Sequence, residues 1–334
     1  MPCCASWSSV TTDLVALEKA AHVLRDAPEI AMTCHIGPDG DALGSMLGVA
    51  LAAKEAGKVV LPTFGPPFAL GPSYRFLPTD LLVPPSALPA GPEVMVTFDS
   101  GNIERLGDLA SHAAAAKTLI VLDHHAAGSG GFGHINLVDP RAAATAEIAF
   151  DLLEAIGWKV DARVATCLLT GLVTDTGRFQ YSNTSPATLR LAARLVEFGA
   201  RPEEIGQHVY EETAFGYLPA AAAVLARAQL LADVGLVWSV LYQADLEAAG
   251  IELSDTDSLI DLVRLPLEAS AAMMLKEHGH GVFKGSLRSR GIVDVGSVAV
   301  ALGGGGHHNA AGFTFEGSPE EAVAAVVRLL KGSS

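Results

Sequence analysis

Four separated stretches place acids and histidines where strands or helices should end. His35-Ile36-Gly37-Pro38-Asp39-Gly40-Asp41 follows the apolar run Glu29–Cys34. Pro38 and Gly40 shape a tight turn, so Asp39 and Asp41 can face one point, and the helix expected after them adds the positive end of its dipole. Taken alone, Pro-Asp-Gly-Asp is equally a surface turn with helix-capping aspartates. Asp99 ends the apolar run Glu93–Phe98, at the edge where open α/β sheets bind ligands, although a lone Asp there can also cap the next helix. Asp123-His124-His125 closes Lys117–Leu122, the densest apolar run of the chain, and packing does not explain three ionisable residues in a row. Asp175, between an apolar helix and the Thr176-Gly177 turn, would oppose that helix's dipole, so a nearby cation explains it better.

Carboxylates and imidazoles without thiolate suit Mn²⁺ or a similar hard-to-borderline cation rather than structural zinc. Two such ions about 3.5–4 Å apart, sharing a carboxylate, can activate water for in-line attack on phosphorus. Further along, Gly303-Gly304-Gly305-Gly306-His307-His308-Asn309 precedes a return to strand. Consecutive glycines let backbone N–H groups approach an anion, and a run followed at once by His-His-Asn is not typical of a linker. Ser286 and Arg288 come from a neighbouring strand and offer phosphate binding or stacking on a base.

The elements that must carry these residues read as α/β. Strands are expected at Glu29–Cys34, Lys58–Pro62, Glu93–Phe98 and Lys117–Leu122, and helices at Asp41–Gly57, Ala144–Ile156, Ala162–Val173, Pro186–Phe198 and Pro202–Glu211. This alternation predicts a mostly parallel sheet flanked by helices. From Gly235 on, strands at Leu236–Tyr242, Glu268–Lys276, Gly281–Arg288 and Gly312–Phe315, closed by a helix at Pro319–Leu330, predict a smaller mixed α/β domain. We therefore expect a first domain over residues 1–216, a linking helical region over 217–234 that includes Ala-rich Pro219–Leu231, and a second domain over 235–334. A chain of 334 residues suits two domains on a prior of about 100–200 residues each.

Net charge −15, from 22 Lys+Arg against 37 Asp+Glu, disfavours any partner that needs a broad basic face, long nucleic acid above all. It does not exclude a small anion held by local cations and N–H groups. Cys3, Cys4, Cys34 and Cys167 form no CxxC pair, which fits a reducing cytosol. The N-terminus does not read as a signal peptide, and no uninterrupted apolar window is long enough for a membrane span. A cytoplasmic protein is expected.

The order HxxPDGD, strand-Asp, DHH, Thr-Asp-Thr-Gly, GGGGHHNAAG resembles the DHH phosphoesterase superfamily with its DHH-associated C-terminal domain, over nearly the whole chain. Within it the sequence is most similar to the bacterial oligoribonuclease/pAp-phosphatase branch and, among actinobacteria, to the cyclic-di-AMP-linked phosphodiesterases of that branch. The resemblance implies two Mn²⁺ per chain, with Mg²⁺ or Co²⁺ as alternatives. One would be held by His35, Asp39 and Asp99, the other by Asp41, Asp99, His124 and Asp175, with Asp99 bridging. Asp123 would orient a ligand, His125 would face the scissile phosphate, and Ser286, Arg288, Gly304, Gly305, Gly306, His307, His308 and Asn309 would bind substrate. The implied substrates are pApA, nanoRNA, cyclic-di-AMP and 3′-phosphoadenosine 5′-phosphate (pAp), and the implied assembly is a homodimer. A single-strand exonuclease of the RecJ kind would need a basic, aromatic-bearing channel. A family-type inorganic pyrophosphatase would lack the glycine-rich segment, and a non-catalytic nucleotide sensor would have lost the ligands that are present here.

Overall fold

In the computed structural model, which describes residues 13–125, 131–279 and 281–332, the chain divides between Val209 and Tyr210 into two units. Cys3 and Cys4 lie outside the described residues.

The first unit is built on β1 (Glu29–Cys34), β2 (Val59–Phe64), β3 (Val94–Phe98), β4 (Thr118–Asp123) and β5 (Ile135–Val138), all parallel in the order β2-β1-β3-β4-β5. Parallel pairing puts every carboxyl end on one edge, and the register sets how far each strand reaches. Cys34 pairs with Phe98 and Phe98 with Leu122, so His35, Asp99 and Asp123 each follow immediately on the same row. The strand order reverses between β1 and β3, the place where open sheets of this kind hold ligands. The short edge strand β5 and the N-terminal helix α1 (Leu14–Asp26), which Asp13 caps, are not among the elements expected above.

Helices α2 (Gly40–Glu55), α3 (Ala110–Ala115), α4 (Thr145–Ile156), α5 (Ala162–Asp175), α6 (Pro186–Glu197) and α7 (Pro202–Gly206) complete this unit. The helix expected over Pro202–Glu211 ends as α7 and widens into a π turn at Gln207–Glu211. From Gly40 to Ala53 α2 is buried on all sides, because it lies against the sheet and also against α5. Gly40, Gly44 and Gly48 recur every fourth residue and so share one face. A Cβ at Gly44 would run into the Cys167 carbonyl oxygen, and one at Gly40 into the Thr174 side chain. Across the contact, a Cβ at Gly171 of α5 would run into the Asp41 carboxylate. Glycine on both helices therefore permits the backbone approach that brings Asp41, at the start of α2, to Asp175, at the end of α5.

The second unit contains α8 (Tyr217–Ala226), β6 (Gln229–Leu231), β7 (Leu236–Leu241), α9 (Gln243–Ala249), α10 (Leu259–Val263), β8 (Ala271–Gly279), β9 (Val282–Ser289), α11 (Val295–Ala301), β10 (Gly305–His307), β11 (Ala310–Glu316) and α12 (Pro319–Gly332). Its sheet runs β10-β11-β9-β8-β7-β6 and is mixed, with β7 and β8 parallel and the other pairs antiparallel. One face packs Trp238, Met273, Leu287 and Phe313 against Val298 and Val326 of α11 and α12. On the other, Ala220, Leu246 and Ile260 of α8, α9 and α10 cover β7 and β8. Pro219–Leu231 is thus not one helix: α8 ends at Ala226, packs in this unit, and gives way to β6. Among the described residues no helix is long and apolar enough to cross a membrane.

Gly44→Ala tests the α2–α5 contact. Helix propensity alone favours Ala by about 0.5–1 kcal/mol, whereas overpacking costs about 1–3 kcal/mol, so a net loss of stability in urea unfolding is expected. A stabilised variant would show that the two backbones are not in close approach.

Candidate metal centre

Two histidines are fixed in the same way. The His35 Nδ1 faces the Ile36 carbonyl at 3.0 Å, and the His124 Nδ1 faces the Ala142 carbonyl at 3.2 Å. A carbonyl can only accept, so each Nδ1 carries the proton and each Nε2 is turned toward carboxylates, the arrangement typical of metal-ligating histidine. The His35 Nε2 lies 3.4 Å from Asp99 Oδ2 and 3.8 Å from Asp39 Oδ2. The His124 Nε2 lies 3.0 Å from Asp175 Oδ2, 3.5 Å from Asp99 Oδ1 and 3.9 Å from Asp41 Oδ2. Asp99 thus presents one carboxylate oxygen to each histidine. Its backbone is left-handed, φ 54°, a conformation that Asp tolerates better than most residues, and its N–H still donates to the Leu122 carbonyl at 2.9 Å. Strain of this kind collects at functional sites.

Asp39 does two jobs. Its Oδ1 accepts from the Asp41 and Ala42 N–H groups and caps α2, while its Oδ2 faces His35. The capping reading of the first motif therefore holds, and it leaves Oδ2 directed at His35. Asp41 caps a different helix. From the first turn of α2 it accepts from the Thr145 N–H at 2.6 Å and the Ala146 N–H at 3.0 Å, at the start of α4, where Ala144 supplies no side-chain cap. Thr145 Oγ1 adds a hydrogen bond to Asp99 Oδ1 at 3.0 Å. Thr145 was not singled out from the sequence, because a cap supplied from over a hundred residues away leaves no local pattern.

His125 Nδ1 lies 2.6 Å from Asp123 Oδ1 and 3.6 Å from Asp99 Oδ1, and Arg105 Nη1 lies 3.3 Å from its Nε2. Arg105 is the second residue the sequence reading missed. The available signal was a cation three residues after Asn102, which caps the turn carrying it.

Burial and mutual repulsion govern protonation in the absence of a cation. Burial works against a charged His35, but the facing Asp39 and Asp99 carboxylates outweigh it and push the imidazole up to about 10. His124 is likewise raised, against its burial, by Asp175, Asp99 and Asp41. Burial, then Asp99 and Asp175, raise the Asp41 carboxyl well above the usual range. Asp99 is held well below it, against its burial, by His35, His125 and His124. Burial, together with Asp39 and Asp99, keeps the adjacent Cys34 thiol protonated, so it does not join the donor set.

Three overlapping triads can each hold an ion: His35/Asp39/Asp99, Asp41/His124/Asp175 and Asp99/His124/His125, with ligand atoms within 4.8 Å of one another. The residues fit a divalent cation. The His35 Nε2 is buried without a hydrogen-bond partner, and carboxylates crowd against it.

In the second unit, β9 brings Ser286 opposite Gly312 and Arg288 opposite Ala310. Both side chains are half-buried and stand on the sheet face whose β7–β8 part is covered by α8, α9 and α10. Arg288 Nε is buried with no hydrogen-bond partner. Lys284, two residues before Ser286, is exposed and extends the same row. The glycine run is not a plain loop, since Gly305–His307 pairs with Ala310–Gly312 as β10. A Cβ at Gly304 would strike the Gly312 carbonyl, and Gly306 has φ 141°, so both glycines are required by this pairing. The backbone of His307 pairs with Ala310, and its side chain lies outside the described residues. Asn309 Oδ1 accepts from Ser289 Oγ at 3.1 Å and from His308 Nδ1 at 2.9 Å, which ties β9 to the turn after β10.

Two family models match the chain: the DHH family, N-terminal domain, over residues 29–172, and the DHHA1 domain over residues 239–332. The bifunctional oligoribonuclease and PAP phosphatase NrnA of Thermus thermophilus is 36% identical over 292 residues, spanning 86% of this chain and 84% of that protein. The protein of the same name from Bacillus subtilis is 26% identical over 83% of this chain and 86% of its own length. Among solved structures, an exopolyphosphatase-related protein from Bacteroides fragilis shares the fold with TM-score 0.86 at 23% identity, covering 96% of this chain and 97% of its own.

A protonated His35 must lose its proton to bind a cation. With that imidazole raised to about 10 in the cation-free protein, a divalent cation added at pH ~8 is expected to displace protons, with affinity rising with pH. Calorimetry in two buffers of different ionisation enthalpy should give different apparent heats. Equal heats would rule out a protonated His35 in the cation-free protein.

Proposed function

The chain belongs to the DHH family, with a DHHA1 domain in its second unit, and from that premise we propose that it is a Mn²⁺-dependent phosphodiesterase and phosphatase acting on very short nucleotides. That it is a metal-dependent phosphoesterase follows from the family and from its named relatives. The finer reading rests on one observation, the placing of Asp99 with one oxygen toward His35 and the other toward His124. In this reading His35, Asp39 and Asp99 hold one cation and Asp41, Asp99, His124 and Asp175 hold a second. Such a pair supplies Lewis acidity toward phosphoryl oxygens and lowers the pKa of water. Asp123 accepts the His125 Nδ1–H and so fixes the ring with Nε2 toward the scissile phosphate. Arg288, with Ser286 beside it and the backbone of Gly304–His308, binds a phosphate or base of the substrate, and Asn309 braces that loop.

The relatives' names, oligoribonuclease and PAP phosphatase, support nanoRNA and pAp as substrates. We extend this to pApA and cyclic-di-AMP, which offer the same adenylate and phosphoester groups. A cytoplasmic homodimer completes the reading. A chain of net charge −15 has little to hold a long strand, so turnover is expected to be highest on dinucleotides and to fall with RNA length. Cyclic-di-AMP, without a terminal phosphate, should be slower than pApA. Side-by-side rates on pApA, cyclic-di-AMP, pAp and a length series of 5′-phosphorylated oligoadenylates test this, and efficiency that rises with length would favour an exonuclease.

Asp99→Asn keeps the shape and the tolerance of positive φ while removing the charge. It is expected to abolish turnover and bound Mn²⁺ with the far-ultraviolet circular dichroism unchanged. Substantial activity at saturating Mn²⁺ would defeat the bridging role. Arg288→Ala should weaken substrate binding by about 1.5–3 kcal/mol at unchanged Mn²⁺ content, and loss of Mn²⁺ in that variant would show that Arg288 serves the metal centre instead.

A further inference from the structure

Several arginines of the chain are paired with carboxylates. Arg141, Arg194, Arg201 and Arg227 each hold a carboxylate at 2.9 Å or less, as expected where acids outnumber bases 37 to 22. Arg105 is half-buried beside the most acidic cluster of the chain, yet among the described residues its guanidinium makes one hydrogen bond, to His125 Nε2 at 3.3 Å. With the Nδ1 proton directed to Asp123 at 2.6 Å, that Nε2 carries a lone pair and accepts from Arg105. A guanidinium has five N–H donors, and only one is engaged here. The backbone of Arg105 is held on both sides. Its N–H donates to Asn102 Oδ1 at 3.1 Å, and its carbonyl accepts from the Ile36 N–H at 2.9 Å, next to His35. The stem is therefore anchored between the loops that follow β1 and β3, where His35 and Asp99 lie.

We propose that Arg105 is a catalytic residue that binds a non-bridging oxygen of the scissile phosphoryl group beside His125. The inference rests on the two-cation reading above. The five aspartates of the cluster, Asp39, Asp41, Asp99, Asp123 and Asp175, exceed the charge of two divalent cations by one. A phosphoester entering that site meets no net positive charge from the cluster itself, and Arg105 supplies the balancing one. A phosphate oxygen is a stronger acceptor for guanidinium than a neutral imidazole, and the planar fork of Arg can take two oxygens at once. On substrate binding the guanidinium turns its free donors to the phosphoryl oxygens, where charge grows in the transition state.

The experiment measures binding of inorganic phosphate and of AMP to the Mn²⁺-loaded full chain by calorimetry, alongside Mn²⁺ content and steady-state kinetics on pApA. Arg105→Gln is expected to weaken both anions about 10- to 100-fold with Mn²⁺ stoichiometry unchanged, and Arg105→Lys to recover part of the loss. Phosphate binding unchanged in Arg105→Gln, or Mn²⁺ lost from it, overturns the proposal. If the wild type hydrolyses no short nucleotide but phosphate binding still depends on Arg105, the substrate reading above fails while the assignment of Arg105 as the phosphoryl-binding residue of this site stands.

Discussion

Asp41, Asp99 and Asp175 repel one another, and much of the first unit is arranged so that they stay together. Each is buried or nearly so, where charge repulsion is screened less than in water. Left alone, the cluster relieves itself by protonation, with His35 and His124 taking protons and Asp41 pushed toward its neutral form. A divalent cation removes the repulsion directly. A core built only for stability would not concentrate like charges at the rim of its most buried strands, since hydrophobic replacement of buried ionic groups is often neutral or stabilising.

Backbone geometry supplies what the side chains cannot. Two helix N-termini converge on the cluster, α2 capped by Asp39 and α4 capped by Asp41, and each brings partial positive charge to a carboxylate. The C-terminus of α5, which carries Asp175, contributes the opposite sign, and only the glycine contact with α2 permits that approach. The left-handed Asp99 turns its carboxylate between two histidines that extended backbone would separate from it. Like-charge proximity is thus sustained by packing rigid enough to resist it.

The sequence disclosed the chemistry of the first unit more readily than its support. Apolar runs ending in His35, Asp99 and Asp123 are local signals, and parallel pairing turned three separate strand ends into one row. Gly40, Gly44 and Gly48 were equally visible, but a spacing of four within one helix does not say which partner it accommodates. Asp41 capping α4, and Thr145 reaching Asp99, depend on residues 104 and 46 apart in sequence that meet only in the fold. In the second unit the glycine run looked like an anion loop. The pairing of Gly305–His307 with Ala310–Gly312 explains Gly304 and Gly306 by strand proximity as well.

An acidic chain that handles anionic substrates must keep its few cations where the substrate goes. In the first unit Arg141, Arg194 and Arg201 are paired with carboxylates, whereas Arg105, beside the acidic cluster, donates to His125. In the second unit Arg227 and Lys276 are paired with Asp245 and Asp257, whereas Arg288 retains an unpartnered Nε and Lys284 is exposed on the same strand. Successive residues on one strand face are about 6.6–6.8 Å apart, so Lys284, Ser286 and Arg288 form a short ladder of donors that ends after a few steps. Attraction of this kind is local. It acts on a phosphate already near the site, while the net charge of −15 repels a polyanion at longer range, out to a Debye length of about 8 Å at physiological salt. In the proposed reading, selection for short substrates then follows from where the cations are placed, without a separate device that measures length.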